Sequence, residues 1–354
     1  MPSSKASNTP SYVDRRGFLR VAGLGGAALL ARGTGALAAD YDPAASSLME
    51  FDVSYRTQIK NLPRDAEDVH IWMPLPPSDA AQQITDLEVE SPLPYELTHD
   101  PIHGNEMLYA STKKRMEPFG VEVRYHVTRH RAGTQKVELS DAELQKHLRL
   151  TKKVRVTDDV EAFASKVIGT ATDPYDIAKR VFDGIREVLF YDKSLPGCGT
   201  GDTAWIMKHR RGKCDDYHAL FMAILISRGV PIRWEQGFPL PFPTDGKVES
   251  GQLEGDCTGS HCWVSFYAPS DGWVPVDVSE ADKTDVNSEF FFGHLSPNRF
   301  QVSAGRSVVL NPAQGGDPLP SFAFAYAEAD GIPLIYLANY ENIIKYDVTR
   351  VEMA

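Results

Sequence analysis

The spacing of apolar residues changes period twice along this chain, and that double switch restricts the fold more than any other feature. From Leu48 onward, Phe51, Val53 and Tyr55 alternate with Asp52, Ser54 and Arg56. Period two marks a strand with one buried face. Val69, Ile71 and Met73 repeat it before Pro74-Leu75-Pro76-Pro77 ends the run, and Val121, Val123, Tyr125 and Val127 repeat it again. These runs predict an antiparallel β domain, built as a sandwich. A charged stretch at 131–150 reads as a linker or short helix. Near Asp158 the period becomes helical, with Val160, Phe163, Ala164, Val167 and Ile168 on one face. Asp173-Pro174 supplies an N-cap and a first-turn proline, and Ile177, Ala178, Val181, Phe182 and Ile185 carry an amphipathic helix to about Leu189. A short helix is expected from Thr203 to Arg210. An apolar helix follows Gly212-Lys213-Cys214 and is stopped by Gly229 and Pro231. Period two then returns. Cys262, Val264 and Phe266 lead through a turn at Pro269-Ser270-Asp271-Gly272 into Trp273-Val274-Pro275-Val276-Asp277, a β-hairpin. The predicted class is α+β, a β-sandwich-like domain followed by helices packed on an antiparallel sheet.

At 354 residues one core is too few, so two domains are expected. The divisions are a leader at 1–38, a β domain at 45–150, a core at 155–285, and a C-terminal extension at 286–354 whose strands pack on that core. The balance of 37 Lys+Arg against 48 Asp+Glu gives a net charge of −11, which argues against nucleic acid as a partner. Beyond the leader, no run of 18 apolar residues interrupts the chain, so no internal membrane span is expected. Nor does a Gly-rich phosphate loop follow a predicted strand, so no nucleotide cofactor is expected.

The first forty residues read as a targeting segment. Asp14-Arg15-Arg16-Gly17-Phe18-Leu19-Arg20 precedes a soft apolar stretch from Val21 to Ala31, and Ala36-Leu37-Ala38 offers small residues for cleavage. Paired arginines followed by Phe-Leu resemble a bacterial twin-arginine signal, with Asp14 where Ser or Thr is usual. The expected location is periplasmic or secreted, with no membrane association of the mature form. The leader carries Lys5, Arg15, Arg16, Arg20 and Arg32 against Asp14 alone, so the mature chain is more acidic than −11.

The chemistry centres on Cys214, at the start of a helix beside Lys213. A helix N-terminus favours an anion, which lowers a thiol's pKa and populates the nucleophilic thiolate. His261 opens a strand, and Asp277 lies on its hairpin partner, where the two can be neighbours. Nucleophile, base and orienting carboxylate thus occur in chain order. His218, one helical turn past Cys214, competes as base, with local packing as its plainer role. Trp205 is a candidate oxyanion donor through its indole N–H, against core packing; the Cys214 backbone N–H is the simpler donor. Four cysteines (Cys198, Cys214, Cys257 and Cys262) are too few for a disulfide scaffold, and no C-x₂-C pair points to a metal. No metal is expected. A disulfide among Cys198, Cys257 and Cys262 is open, its pairing unreadable.

These residues sit in four blocks: Gly212-Lys213-Cys214, then Gly229-Val230-Pro231-Ile232-Arg233, then His261-Cys262-Trp263-Val264, then Gly272-Trp273-Val274-Pro275-Val276-Asp277. In that order they resemble the transglutaminase-like superfamily over roughly 170–285. The resemblance implies a papain-like core with Cys214 as nucleophile, His261 as base and Asp277 as orienter. Cys262 stands where the family often has Ala; alternation turns it away from Trp263, toward the core. The expected function is an exported cysteine enzyme acting on amide bonds of a protein or peptide substrate, for instance a cell-envelope peptide, with hydrolysis favoured. The alternatives are transfer of glutamine to an amine, a non-catalytic module that binds envelope proteins, and a redox role for the remaining thiols.

Overall fold

In the computed structural model the N-terminal strands are β1 (Ser46–Ile59), β2 (Val69–Pro74), β3 (Gln82–Glu90), β4 (Tyr95–His99), β5 (Glu106–Thr112) and β6 (Phe119–His130). The described residues are 41–113 and 118–354, so the leader lies outside them. The alternation of β1 is realised: Phe51, Val53 and Tyr55 are buried while Asp52 is exposed. The charged stretch carries one short helix, α1 (Asp141–Lys146), closed by a Ser140–Glu143 capping box.

Helices then take over, with α2 (Asp158–Ile168), α3 (Pro174–Val188), the short β7 (Phe190–Tyr191), α4 (Thr203–His209), β8 (Arg211–Gly212) and α5 (Cys214–Ser227). Asp173 caps α3 by accepting from the backbone N–H groups of Tyr175 and Asp176 at 3.0 Å, with Pro174 in the first turn as its sequence requires. Every residue of α5 from Asp216 to Ile226 is buried. A helix apolar on all sides belongs inside the core. The remaining elements are β9 (Ile232–Pro239), β10 (Gly251–Leu253), β11 (His261–Ala268), β12 (Gly272–Val276), α6 (Val278–Lys283), a 3₁₀ turn at Ser288–Phe291, β13 (Arg299–Ala304), β14 (Tyr326–Ala329), β15 (Ile332–Pro333) and β16 (Tyr340–Met353).

Two five-stranded sheets, ordered β10-β16-β1-β6-β3 and β15-β14-β2-β5-β4, enclose the sandwich core around Phe51, Tyr55, Ile71, Val123 and Ile344. A third sheet, ordered β12-β11-β9-β13, is antiparallel and packs against α5. Its core gathers Val181, Phe182, Leu220, Trp263, Phe266 and Phe292. The α+β class stands as expected.

The C-terminal stretch divides its strands between the sheets. β13 joins β9 in the third sheet, whereas β14 pairs with β2 and β16 with β1. Most of 286–354 therefore completes the sandwich rather than packing on the helical core. The period of β13 links the two cores. Phe300 and Val302 enter the sandwich interior, while Arg299 turns to Asp277. Gly237 on β9 permits this crossing, because a Cβ there would overlap the Phe300 carbonyl.

Candidate active site

The start of α5 is built by buried hydrogen bonds. Asp216, fully buried, accepts from Lys213 N at 2.9 Å, Thr200 N at 2.9 Å, Thr200 Oγ1 at 2.8 Å and Gly201 N at 3.0 Å. This clamps the 199–201 loop against the first turn of α5 and fixes Cys214 at its N-terminus. Gly212 is needed at the entry, since a Cβ would collide with the Asp216 side chain. Asp215 is paired with the guanidinium of buried Arg306, which lies 4.3 Å from the Trp234 ring centroid.

His261 opens β11 and reaches both partners. Its Nε2–H donates to Asp277 Oδ2 at 2.7 Å, and the Cys214 sulfur is near enough to raise its pKa. With Nε2 committed to the carboxylate, Nδ1 is the nitrogen left for sulfur. The hairpin ladder ends at Val264–Val276, so His261 and Asp277 are not directly opposed on it. Asp277 instead caps α6, accepting from Glu280 N at 2.9 Å through Oδ1, and turns Oδ2 back to His261. The capping role and the orienting role fall on one carboxylate.

All three groups are almost without solvent: Cys214 and His261 are 4% exposed and Asp277 0%. Burial by itself would raise the Asp277 pKa, but His261 and the Arg299 guanidinium, 2.7 Å from Oδ2, outweigh it and hold the carboxyl well below the usual range. Burial opposes charge on His261, yet Asp277 and the Cys214 sulfur lift its pKa to about 9. The Cys214 thiol is held well below its ordinary value by a hydrogen bond from Cys262, against the opposing effect of burial, with His261 adding to the lowering. Both shifts act in the direction of a thiolate–imidazolium pair.

Sequence reasoning missed part of this. Cys262 faces the core as alternation requires, but there it touches the nucleophile. Its Sγ lies 3.5 Å from His218 Nδ1. His218 Nε2 accepts the Val278 backbone N–H at 3.1 Å and lies 3.5 Å from Asp277 Oδ1. His218 thus stands between Cys262 and Asp277. Arg299, 22 positions past Asp277, left no local signal. Glu280, whose Oε1 is 3.7 Å from His261 Nε2, was signalled by the Asp277-x-x-Glu280 capping pattern. Glu280 also pairs with Lys283, whose Nζ lies 4.7 Å from the Tyr191 ring centroid.

Trp205 is half-buried against the helical core and stacks on His209 at 4.4 Å between ring centroids. The Phe290-Phe291-Phe292 run is buried in that same core. The ligand atoms of His261, Asp277 and Glu280 lie within 4.8 Å of one another, the one grouping among the described residues with metal-ligand spacing. A cation there would have to displace the His261–Asp277 hydrogen bond.

Residues 161–278, which contain Cys214, His261 and Asp277, match the model of the Transglutaminase-like superfamily. An uncharacterized protein of Haemophilus influenzae is 25% identical over 324 residues, 81% of this chain and 87% of that one. YebA of Bacillus subtilis, also uncharacterized, is 25% identical over 161 residues, covering 41% of this chain and 19% of YebA. A candidate cysteine protease from Cytophaga hutchinsonii shares the fold, with a TM-score of 0.51 and 15% identity over 85% of this chain and 99% of that one. The chain carries a transglutaminase-like superfamily core at residues 161–278, and the buried cysteine, histidine and aspartate lie inside it.

Proposed function

We propose that the protein is an exported cysteine enzyme that hydrolyses amide bonds in a peptide, with Cys214 as nucleophile, His261 as acid and base, and Asp277 as its orienter. The observation that carries this reading is the buried line from Cys214 through His261 to Asp277, closed by a 2.7 Å hydrogen bond. In the first step the Cys214 thiolate attacks the carbonyl carbon. The oxyanion so formed is met by the Cys214 backbone N–H at the start of α5. The imidazolium gives its proton to the leaving amine, the C–N bond breaks, and a thioester remains on Cys214. Neutral His261 then takes a proton from water, the hydroxide adds to the thioester, and collapse releases the acid and restores the thiolate. Asp277 holds the imidazole in the needed tautomer throughout. An amine in place of water would give transamidation with the same three residues. Water is always available, which favours hydrolysis.

Export rests on the leader, where Arg15-Arg16 precede the apolar stretch and Ala36-Leu37-Ala38 offers a cleavage point. No helix among the described residues is long and apolar enough to cross a membrane. The deciding experiment is a mass-spectrometric screen of peptides and peptidoglycan fragments with wild type and Cys214→Ala. Cleaved products with the wild type alone are expected. Amine adducts instead of acids would move the reading to transamidation, and equal turnover by Cys214→Ala would end it.

A further inference from the structure

The four cysteines fall into two pairs of opposite character. Cys214 and Cys262 are buried in the site just described. Cys198 and Cys257 lie on two loops outside it, Cys257 exposed and Cys198 partly so. The first loop runs from β7 to α4 and the second leads into His261. Cys198 Sγ sits 2.6 Å from the Cys257 carbonyl oxygen and 3.5 Å from Ser260 Oγ, and the Cys257 sulfur packs on the neighbouring Gly197, where a Cβ would stand 3.1 Å from it. Nothing in the proposed mechanism uses either sulfur.

We propose that Cys198 and Cys257 are a disulfide-forming site that ties the loop beside the Cys214 helix start to the loop that delivers His261. Both residues lie in loops rather than in strands or helices. Each loop is anchored to the site. Lys213 Nζ donates to Gly197 O at 2.8 Å, Asp215 N donates to Cys198 O at 3.4 Å, and Ser260 Oγ accepts from Gln236 Nε2 at 3.2 Å. A bond between them would hold the nucleophile and base segments at fixed separation. The two cysteines are 59 positions apart, so the closed loop is long and the constraint on the unfolded chain large.

The chemistry needs a disulfide oxidant, for which glutathione disulfide serves. The Cys198 contact lowers the Cys257 thiol to about 7, which makes it the attacking group near neutrality. Cys257 thiolate attacks one sulfur of the oxidant, forms a mixed disulfide and expels one glutathione thiolate. Cys198 then attacks the Cys257 sulfur and expels the second. Two protein thiols lose two electrons, and one glutathione disulfide becomes two glutathione thiols. This pairing stands whether or not Cys214 is catalytic.

The test is to incubate the full chain with glutathione disulfide, alkylate the remaining thiols after denaturation, digest without reduction and map the peptides. The expected result is a Cys198–Cys257 linked peptide, with Cys214 and Cys262 recovered alkylated. Oxidation should also raise the melting temperature by several degrees in wild type and leave it unchanged in Cys257→Ser. Recovery of Cys198 and Cys257 unlinked, or of either joined to Cys214 or Cys262, overturns the proposal. An equal melting shift in Cys257→Ser overturns it as well.

Discussion

The two halves of this molecule arrange their buried charges differently. The sandwich buries Phe51, Val53, Ile71, Val121 and Ile344 between its sheets, and its strands also bury Glu122, Arg129 and Glu328 at separate places in the sequence. The α5 side of the third sheet also has an apolar core, but it encloses Asp216, His218, His261, Asp277 and Arg306, joined by Arg299 from β13. Apolar burial stabilises a fold at little risk, whereas each buried charge carries a desolvation cost that a partner must offset. Arg299, Asp277 and His261 form a chain that leads to the Cys214 sulfur. A set of charges that an apolar core would replace without loss of stability is better explained by chemistry than by folding.

That contrast is open to direct attack, and the largest effect is expected at the carboxylate. Asp277→Asn removes the charge that holds His261 and leaves Arg299 without its partner. It should lower kcat/KM by about 10²–10⁴-fold in steady-state assays, and a variant of near wild-type activity would break the division between the halves. Phe51→Ala should do the reverse. Emptying that site in the sandwich should cost about 3–5 kcal/mol in denaturant unfolding, while the reactivity of Cys214 in the folded protein stays as in wild type. A smaller, graded effect concerns pH. The His261 pKa is raised to about 9, so the stability and the proton it supplies are fully present below its ordinary value and lost as pH rises through about 9. Activity and melting temperature should fall together there, and activity constant beyond that point would contradict the ion pair. The smallest effect is expected at Trp205. Its stacking on His209 makes Trp205→Phe a packing change, with a loss in kcat/KM below about tenfold; a loss of 10²–10³-fold would assign its indole to the oxyanion.

The sequence made the sandwich legible because a half-buried strand writes its inner face at every second residue, as Phe51, Val53 and Tyr55 do. The helix start at Cys214 and the strand start at His261 were legible for a similar reason: glycine, helix and strand signals lie close by in the chain. The rest of the site depends on long-range packing. Arg299 reaches Asp277 from a strand whose other residues serve the sandwich, and no local pattern records that. Alternation placed Cys262 in the core, but only the packing of α5 against β11 makes that core position a neighbour of the nucleophile. The destination of β16 was hidden likewise, since pairing with β1 joins the two ends of the described chain.

The proposed chemistry turns on Cys214 resting as a thiolate paired with the His261 imidazolium. The most direct measurement is the ultraviolet thiolate absorbance of wild type minus that of Cys214→Ser, followed as a function of pH, because subtraction cancels the other three thiols. The paired state predicts a difference signal already fully present at neutral pH. A signal that appears only as pH approaches about 8.5, where a free cysteine ionises, would contradict it.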